Sequence, residues 1–463
     1  MQKIFYELAS LDQRCYDTFG LSEDILMEHA ADGMREYITA NYDTAHSILI
    51  VCGSGNNGAD GIALGRILHG SYAVTLYLPF GAKSAMAQLQ LHRAEKVGVH
   101  VIETLCSADI VVDALFGTGF SRTFDAQSTA LLQQLNAITA VKIACDIPSG
   151  VHLDGTLESE TFQADVTLSM GALKRAMFSD AAKEVVGTVE VVNLGVSRNV
   201  YETPSDWMLL EADDVKLPHR LRHNTHKGSF GHLGIICGEK QGAAVIAGSA
   251  ALRFGAGLVT LLSNENVQLP YELMQSHLLP ATTTALAIGM GLGNEFSDSE
   301  LSAHLQHDLP LILDADIFAH PLFTTLLQRP NIVLTPHPKE FTTILRVCGI
   351  ADIDVDTLQR NRFQYVEAFS HRFTNVVLLL KGANVIIAHQ EHYYINPLGS
   401  NLLAKGGSGD VLSGLIGALL AQGYTPLDAA IHASLAHTLS AQAFTQHSYA
   451  LTPQALIEGV GTL

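Results

Sequence analysis

The chain has little positive charge: 27 lysines and arginines stand against 46 aspartates and glutamates, a formal net charge of −19. Nucleic-acid and anionic-membrane surfaces are therefore disfavoured as partners, because phosphate binding runs on clustered Lys and Arg. Any anionic ligand has to be held locally. Cysteine is sparse as well. The six, Cys15, Cys52, Cys106, Cys145, Cys237 and Cys348, include no CxxC pair, so neither a zinc knuckle nor a disulfide framework is indicated and a reducing compartment fits. The 21 histidines show no HExxH spacing, and no zinc site is assigned. The apolar run VLSGLIGALLA has 11 residues, short of the ~20 that a membrane span needs. The start, MQKIFYELASLDQR, carries no apolar stretch of signal-peptide length. A cytoplasmic protein is expected.

Apolar material, by contrast, is plentiful: 48% of the 463 residues are hydrophobic and 16% charged. That length exceeds the roughly 250–300 residues one core supports, so two domains are expected. Runs rich in Val, Ile and Leu, such as SILIVCG (47–53), DIVVDALFG (109–117) and AVKIACDIP (140–148), alternate with amphipathic stretches such as 58–70 and 84–97. This rhythm predicts strand–helix repeats around a parallel sheet. It restarts after residue 230 with HLGIICG, GLVTLLS, LALAIGMG, LPLILDAD, NIVLTP, NVVLLLKG and NVIIAH. Between the two sets, 197–228 holds prolines, the single Trp207 and no sustained strand pattern. The junction is placed near 205–220, giving domains 1–210 and 211–463.

Two glycine-rich turns carry most of the chemistry. In the first, ILIVC runs into GSGNNGADG (53–61), where backbone N–H groups can cradle a phosphate and Asn56, Asn57 and Asp60 add polar contacts. DALFGTGFSR (113–122) and CDIPSG (145–150) each put an aspartate at the end of an apolar strand, the rim at which open α/β sheets bind ligands. Asp113, Asp146, Ser149 and Asn57 together offer oxygen donors suited to a hard monovalent or divalent cation. Singly, each of these residues is equally an ordinary helix cap.

In the second turn, GGSGD (406–410) sits immediately before an amphipathic helix whose unpaired N–H groups and positive dipole end suit a phosphate in transfer. Asp410 is placed to take a proton from a hydroxyl, the base role in phosphoryl transfer. Around it in the sequence come THKGSFG (225–231), GMGLG (289–293), LDAD (313–316), TPHPKEF (335–341) and LLLKGANVII (378–387). Lys381 is a candidate phosphate ligand, and His337, held between two prolines, a candidate for positioning substrate.

Taken together, GSGNNGADG, DALFGTGFSR, ACDIPSG and SMGALKRAM in the first half, with HKGSFG, GMGLG, TPHPKEF, KGANV and LAKGGSGD in the second, resemble the bifunctional NAD(P)H-hydrate repair enzymes over nearly the whole chain. The resemblance implies an α/β protein: an N-terminal Rossmann-like, doubly wound domain followed by a ribokinase-like domain. It implies that the first epimerises the R and S hydrates of NADH and NADPH, and that the second dehydrates the S hydrate with ADP or ATP, releasing phosphate, and AMP when ADP is used. It further implies that Asn56, Asn57, Gly58, Ala59 and Asp60, then Gly117, Thr118, Gly119, Phe120, Ser121, Arg122 and Thr123, bind the hydrate in the epimerase. Asp146 becomes a further hydrate contact and a proton-transfer residue, and Asn57, Asp113 and Ser149 become potassium ligands. In the dehydratase, Ala244, Gly291, His337 and Asp410 correspond to hydrate contacts, and Lys381, Gly382, Ala383, Asn384, Val385 and Gly409 to nucleotide contacts. Magnesium and a homo-oligomer belong to the same expectation. Ala59, Met290, Lys339 and the pair Glu28-His29 depart from the usual motif, but none removes a group with chemistry. The competing expectations are a vitamin or sugar kinase with an accessory domain, which would leave a stable phosphorylated product, and a nucleotide-sensing scaffold without turnover.

Overall fold

The computed structural model describes residues 1–120 and 122–463; Ser121, one of the expected hydrate-loop residues, lies outside the described residues. Two compact units emerge, Gln2–Trp207 and Met208–Leu463. Among the described residues, no helix is long and apolar enough to cross a membrane.

In the first unit the β-branched runs form a seven-stranded sheet. Its order is His100–Ile102, Ala73–Tyr77, Ser47–Cys52, Ile110–Ala114, Val141–Cys145, Val166–Met170, Thr188–Val192, with every neighbouring pair parallel. The central strand Ile110–Ala114 is buried at all five positions, as expected when helices cover both faces of a parallel sheet. Strand order reverses between Ser47–Cys52 and Ile110–Ala114: the chain first winds outward through Ala73–Tyr77, then crosses back to the other side. That switch leaves a crevice at the carboxyl ends of these two strands, where register pairs Val51 with Asp113 and Cys52 with Ala114.

The second unit repeats the device. Its parallel strands run Met274–Ser276, Leu258–Leu262, His232–Ile236, Ala285–Ile288, Leu311–Leu313, Ile332–Leu334 and Val376–Leu380, and Val385–His389 and His392–Asn396 then add antiparallel to the last. The helices Gln241–Arg253 and Ser408–Ala421 pack on each other against this sheet. Small residues allow the contact, Ala247 and Ala250 on one helix meeting Gly414 on the other.

Both glycine segments differ locally from the sequence expectation. Asn56, Asn57, Gly58, Ala59 and Asp60 are not loop residues but the opening of the helix Asn56–Leu68, which has Gly55 at its N-cap. Likewise Ser408, Gly409 and Asp410 form the first turn of Ser408–Ala421, capped by Gly407. Within the linker, Trp207–Leu209 is a short strand.

Candidate functional site

The crevice of the first unit is a cavity of about 530 Å³. Its floor is the turn from Cys52 into the helix Asn56–Leu68. Gly58 is required there: a Cβ at that position would lie 1.9 Å from the Gly53 carbonyl oxygen. Asn56, Asn57 and Asp60 reach the cavity wall, as do Gly117, Thr118, Gly119, Phe120 and Arg122. Gly58, Ala59 and Thr123 do not. Ala59 is wholly buried in the core, so its Cβ, extra to the usual motif, points away from any ligand, and its backbone is ordinary helix. Phe120 stacks within an aromatic group, its ring 4.6 Å from Phe116 and 5.0 Å from Phe124.

Beneath this wall Asp113 is completely buried. Its carboxylate accepts from the Ser149 hydroxyl at 2.7 Å, the Ser149 amide at 2.8 Å and the Leu115 amide at 3.1 Å. Burial nevertheless pushes its pKa up to about 6, against the lowering effect of these bonds. Asn57 lies beside Gly117, and its buried side-chain nitrogen has no protein partner.

Asp146 takes a left-handed backbone, φ 73°, rare for a residue with a side chain. That turn aims its carboxylate into the cavity, where the Met170 amide donates to it at 3.2 Å and the Lys174 ammonium at 2.5 Å. Lys174 is only 1% exposed and also donates to Ser169 Oγ at 2.9 Å. Asp60 carries the opposite problem: burial first, then the charges of Asp146, Asp12 and Glu23, push its pKa well above the carboxylate range.

In the second unit, Asp410 stands at the third position of Ser408–Ala421, and its pKa is pushed up to about 6 by burial and by Asp314, with Lys381 opposing. Lys381 follows the strand Val376–Leu380, and its ammonium donates to Asp314 Oδ1 at 2.8 Å. Ser413 holds the other oxygen of Asp314 at 2.6 Å. A Cβ added at Gly409 would lie 3.2 Å from that ammonium, so the lysine lies against the backbone of the helix start. Gly382 and Ala383 are exposed, while Asn384 and Val385 are buried. Ala244 is buried near the start of Gln241–Arg253, next to the turn in which Lys240 N donates to the Gly291 carbonyl at 3.0 Å. His337 caps Pro338–Val347 in a reciprocal pair with Glu340, which explains its stiffness without a ligand.

Residues 23–176 match a family model described as YjeF-related protein N-terminus, and residues 233–460 one described as NAD(P)H-hydrate dehydratase. The bifunctional NAD(P)H-hydrate repair enzyme Nnr of Helicobacter pylori is 41% identical to this chain over 474 aligned residues, covering 100% of both. The chain belongs to the bifunctional NAD(P)H-hydrate repair enzymes. The Escherichia coli member is 32% identical across 93% of this chain and 87% of its own length. Among solved structures, the ADP/ATP-dependent NAD(P)H-hydrate dehydratase from Bacillus subtilis, co-crystallised with ATP and Mg2+, is 30% identical, with TM-score 0.46, over 53% of this chain and 92% of that one.

For this repair-family member, sequence reasoning passed over three charged residues that the structure puts at the two sites: Lys174, Asp314 and Asp12. Lys174 sits inside SMGALKRAM and Asp314 inside LDAD, so the motifs were visible, but nothing in a sequence distinguishes a buried ammonium from a solvated one. The Lys174–Asp146 pair yields a direct expectation. Lys174→Met leaves Asp146, whose side chain is 15% exposed at the cavity, with the Met170 amide but without its ammonium, and urea unfolding should show the first unit destabilised by about 1–3 kcal/mol; an unchanged midpoint would mean that the pair bears no structural load.

Proposed function

We propose that Gln2–Trp207 interconverts the R and S hydrates of NADH and NADPH, and that Met208–Leu463 dehydrates the S hydrate with ADP or ATP. The observation that carries this reading is the repeated arrangement: in each unit a glycine-opened strand-to-helix turn meets an aspartate in reach of an ammonium, Asp146 with Lys174 and Asp410 with Lys381. The hydrate would lie in the first cavity against Asn56, Asn57, Asp60, Gly117, Thr118, Gly119, Phe120 and Arg122, with Asp146 moving the proton. In the second unit Ala244, Gly291, His337 and Asp410 would face the hydrate, and Lys381, Gly382, Ala383, Asn384, Val385 and Gly409 the nucleotide. We place the activity in the cytoplasm, a compartment that the six free cysteines suit, and we include a homo-oligomer in the proposal.

Dehydration needs activation, because hydroxide leaves poorly at neutral pH. Asp410 draws the proton from the ring hydroxyl as that oxygen bonds to the terminal phosphorus and the bridging phosphorus–oxygen bond breaks, its electron pair leaving with AMP (from ADP) or ADP (from ATP). The phosphate then departs with the carbon–oxygen bond pair as the ring nitrogen lone pair closes a carbon–nitrogen double bond, and loss of a proton from the adjacent ring carbon to solvent restores the dihydropyridine. The amides of the 408–410 turn and the Lys381 ammonium face the charge that develops on the transferred group. Among the described residues no group of three or more His, Cys, Asp or Glu could hold a metal, which suits Mg2+ riding on nucleotide phosphates; bound there, it supplies further charge neutralisation. Because Asp410 works as the carboxylate and its pKa lies at about 6, dehydration should rise as pH increases through about 6 and level off above. Removing the cation with Lys381→Met should move that midpoint upward. Asp410→Asn should keep nucleotide binding and lose turnover by about 100-fold or more. Unchanged dehydration by this variant would remove Asp410 from the reaction.

The residues beneath the first cavity fit a potassium ion. Asp113 buries a carboxylate whose charge is poorly solvated, Ser149 adds a hydroxyl, and the Asn57 amide ends in a buried atom without a protein partner. Which end of that amide faces inward is open to a flip that would present its oxygen. Asp113, Ser149 and Asn57 would hold such a cation, which would supply positive charge opposite the Asp113 carboxylate. Folding raises the Asp113 pKa from 3.8 to about 6, so the folded state holds this proton the more tightly, and the group's contribution to stability weakens as pH rises through that window. Potassium chloride, compared with choline chloride at equal ionic strength, should therefore raise Tm more at about pH 7.5 than at about pH 5. The shift should vanish in Asp113→Asn; an equal shift in that variant would place the ion elsewhere.

A further inference from the structure

Asp12 lies outside the matched segment 23–176 and outside every motif that identified the first unit, yet its side chain forms part of the cavity wall. It projects from the helix Ala9–Phe19. The hydroxyl of Tyr201, which is 1% exposed, donates to Asp12 Oδ1 at 2.7 Å. This contact is built from both ends of the unit. Arg14, half a turn along from Asp12, donates to the carbonyl of Val200 at 2.6 Å and to that of Tyr201, clamping the short helix Arg198–Tyr201. The ring of Tyr201 rests on Gly171, where a Cβ would lie 2.5 Å from it, and Gly171 directly follows Met170, whose amide holds Asp146. One compact arrangement thus fixes two carboxyl groups, Asp12 and Asp146, at a single cavity with different partners: a neutral phenol for one, an ammonium for the other.

We propose that Asp12 is a second catalytic residue of the epimerase, exchanging a proton with the ring hydroxyl as the partner of Asp146. The inference rests on the epimerase reading above. A dihydropyridine is an enamine, so water adds at the carbon beside the ring nitrogen, and inverting that carbon requires it to become planar. Asp12 gives its proton to the hydroxyl oxygen. The carbon–oxygen bond pair leaves with that oxygen as water, and the nitrogen lone pair closes a carbon–nitrogen double bond, placing positive charge on the ring. Water then adds to the opposite face: its lone pair forms the new carbon–oxygen bond, the double-bond pair returns to nitrogen, and Asp146 takes the proton. In the reverse direction the two acids exchange roles, and solvent in the open cavity returns the proton. Nothing is oxidised or reduced. Carboxylates around the cavity favour the cationic ring, which an uncharged pocket would not.

The groups facing Asp12 are Glu7 and Tyr16 from its own end of the chain, Glu23, Asp60, Asp146, Lys174 and Tyr201. Burial raises its pKa, and the Tyr201 hydrogen bond acts against that rise. A carboxyl biased toward its protonated form beside an ion-paired one is the division of labour that acid–base pairs use.

The test follows R-to-S conversion by chromatography in the full-length protein, above the spontaneous rate, with dehydration of pure S hydrate as the control for the other unit. Asp12→Asn keeps an acceptor for Tyr201 and should lose about 100-fold in kcat with KM little changed, while S-hydrate dehydration stays at the wild-type rate. Tyr201→Phe should move the alkaline limb of the epimerase pH profile to higher pH, because it removes the bond that favours the Asp12 carboxylate; a purely structural contact would leave that limb in place. Wild-type epimerisation by Asp12→Asn alongside a dead Asp146→Asn would overturn the role of Asp12 and leave the epimerase reading standing. Conversion no faster than the spontaneous rate by the wild type would overturn both.

Discussion

The glycine-built turn at the mouth of each sheet is the constraint on which the rest of the molecule depends. Gly58 packs against the Gly53 carbonyl with no room for a side chain, and the helix Asn56–Leu68 can begin only where that contact is made. At the second mouth glycine serves differently: Gly407, the N-cap of Ser408–Ala421, takes φ 90° where a Cβ would lie 2.6 Å from the Pro453 ring, and a Cβ on Gly409 would lie 3.2 Å from the Lys381 ammonium. In the proposed reading, N–H groups would supply the grip on anionic ligand groups, so that a chain of net charge −19 would need no basic surface to bind phosphate. Its acids are left free to handle protons.

What those acids do is set by burial and by the few cations near them. Asp113 and Asp410 are both pushed up to about 6, but for different chemistry. Asp113 accepts three hydrogen bonds from Ser149 and Leu115, which leaves room on its carboxylate for the cation proposed above. Asp410 has Asp314 as a like-charged neighbour and Lys381 as a moderating one, which suits the base role proposed for it. Asp314 itself is saturated by Lys381, Ser413 and the Ala315 amide and acts as an anchor for the lysine.

Much of this was legible in the residues. The strand runs from 47, 109 and 140, and those after 230, all appear as strands, because Val- and Ile-rich segments between helices have few other ways to bury themselves. The α/β class and the repair family follow from that rhythm and from two motif sets in order. Helix starts were less legible: Asn56–Asp60 and Ser408–Asp410 read as loops because glycine is a poor helix former, and the tertiary contact that makes it indispensable cannot be seen in one dimension. Ala59 departs from the usual motif, and what its Cβ does, joining the core, is visible only in the fold. Asp12, Lys174 and Tyr201 were missed because their meaning lies in contacts across long stretches of chain, 189 positions in the case of Tyr201 and Asp12.

The central claim is that one chain grips two anionic ligands through its backbone and spends its carboxylates on two different reactions. Incubating the purified protein with a mixture of R and S hydrates and ADP or ATP, while following the dihydronicotinamide absorbance and inorganic phosphate together, addresses it most directly. The account predicts that both epimers disappear, one phosphate appearing for each reduced cofactor restored. Accumulation of a stable phosphorylated product, or recovery that stops once the S hydrate is exhausted apart from slow spontaneous exchange, would contradict it.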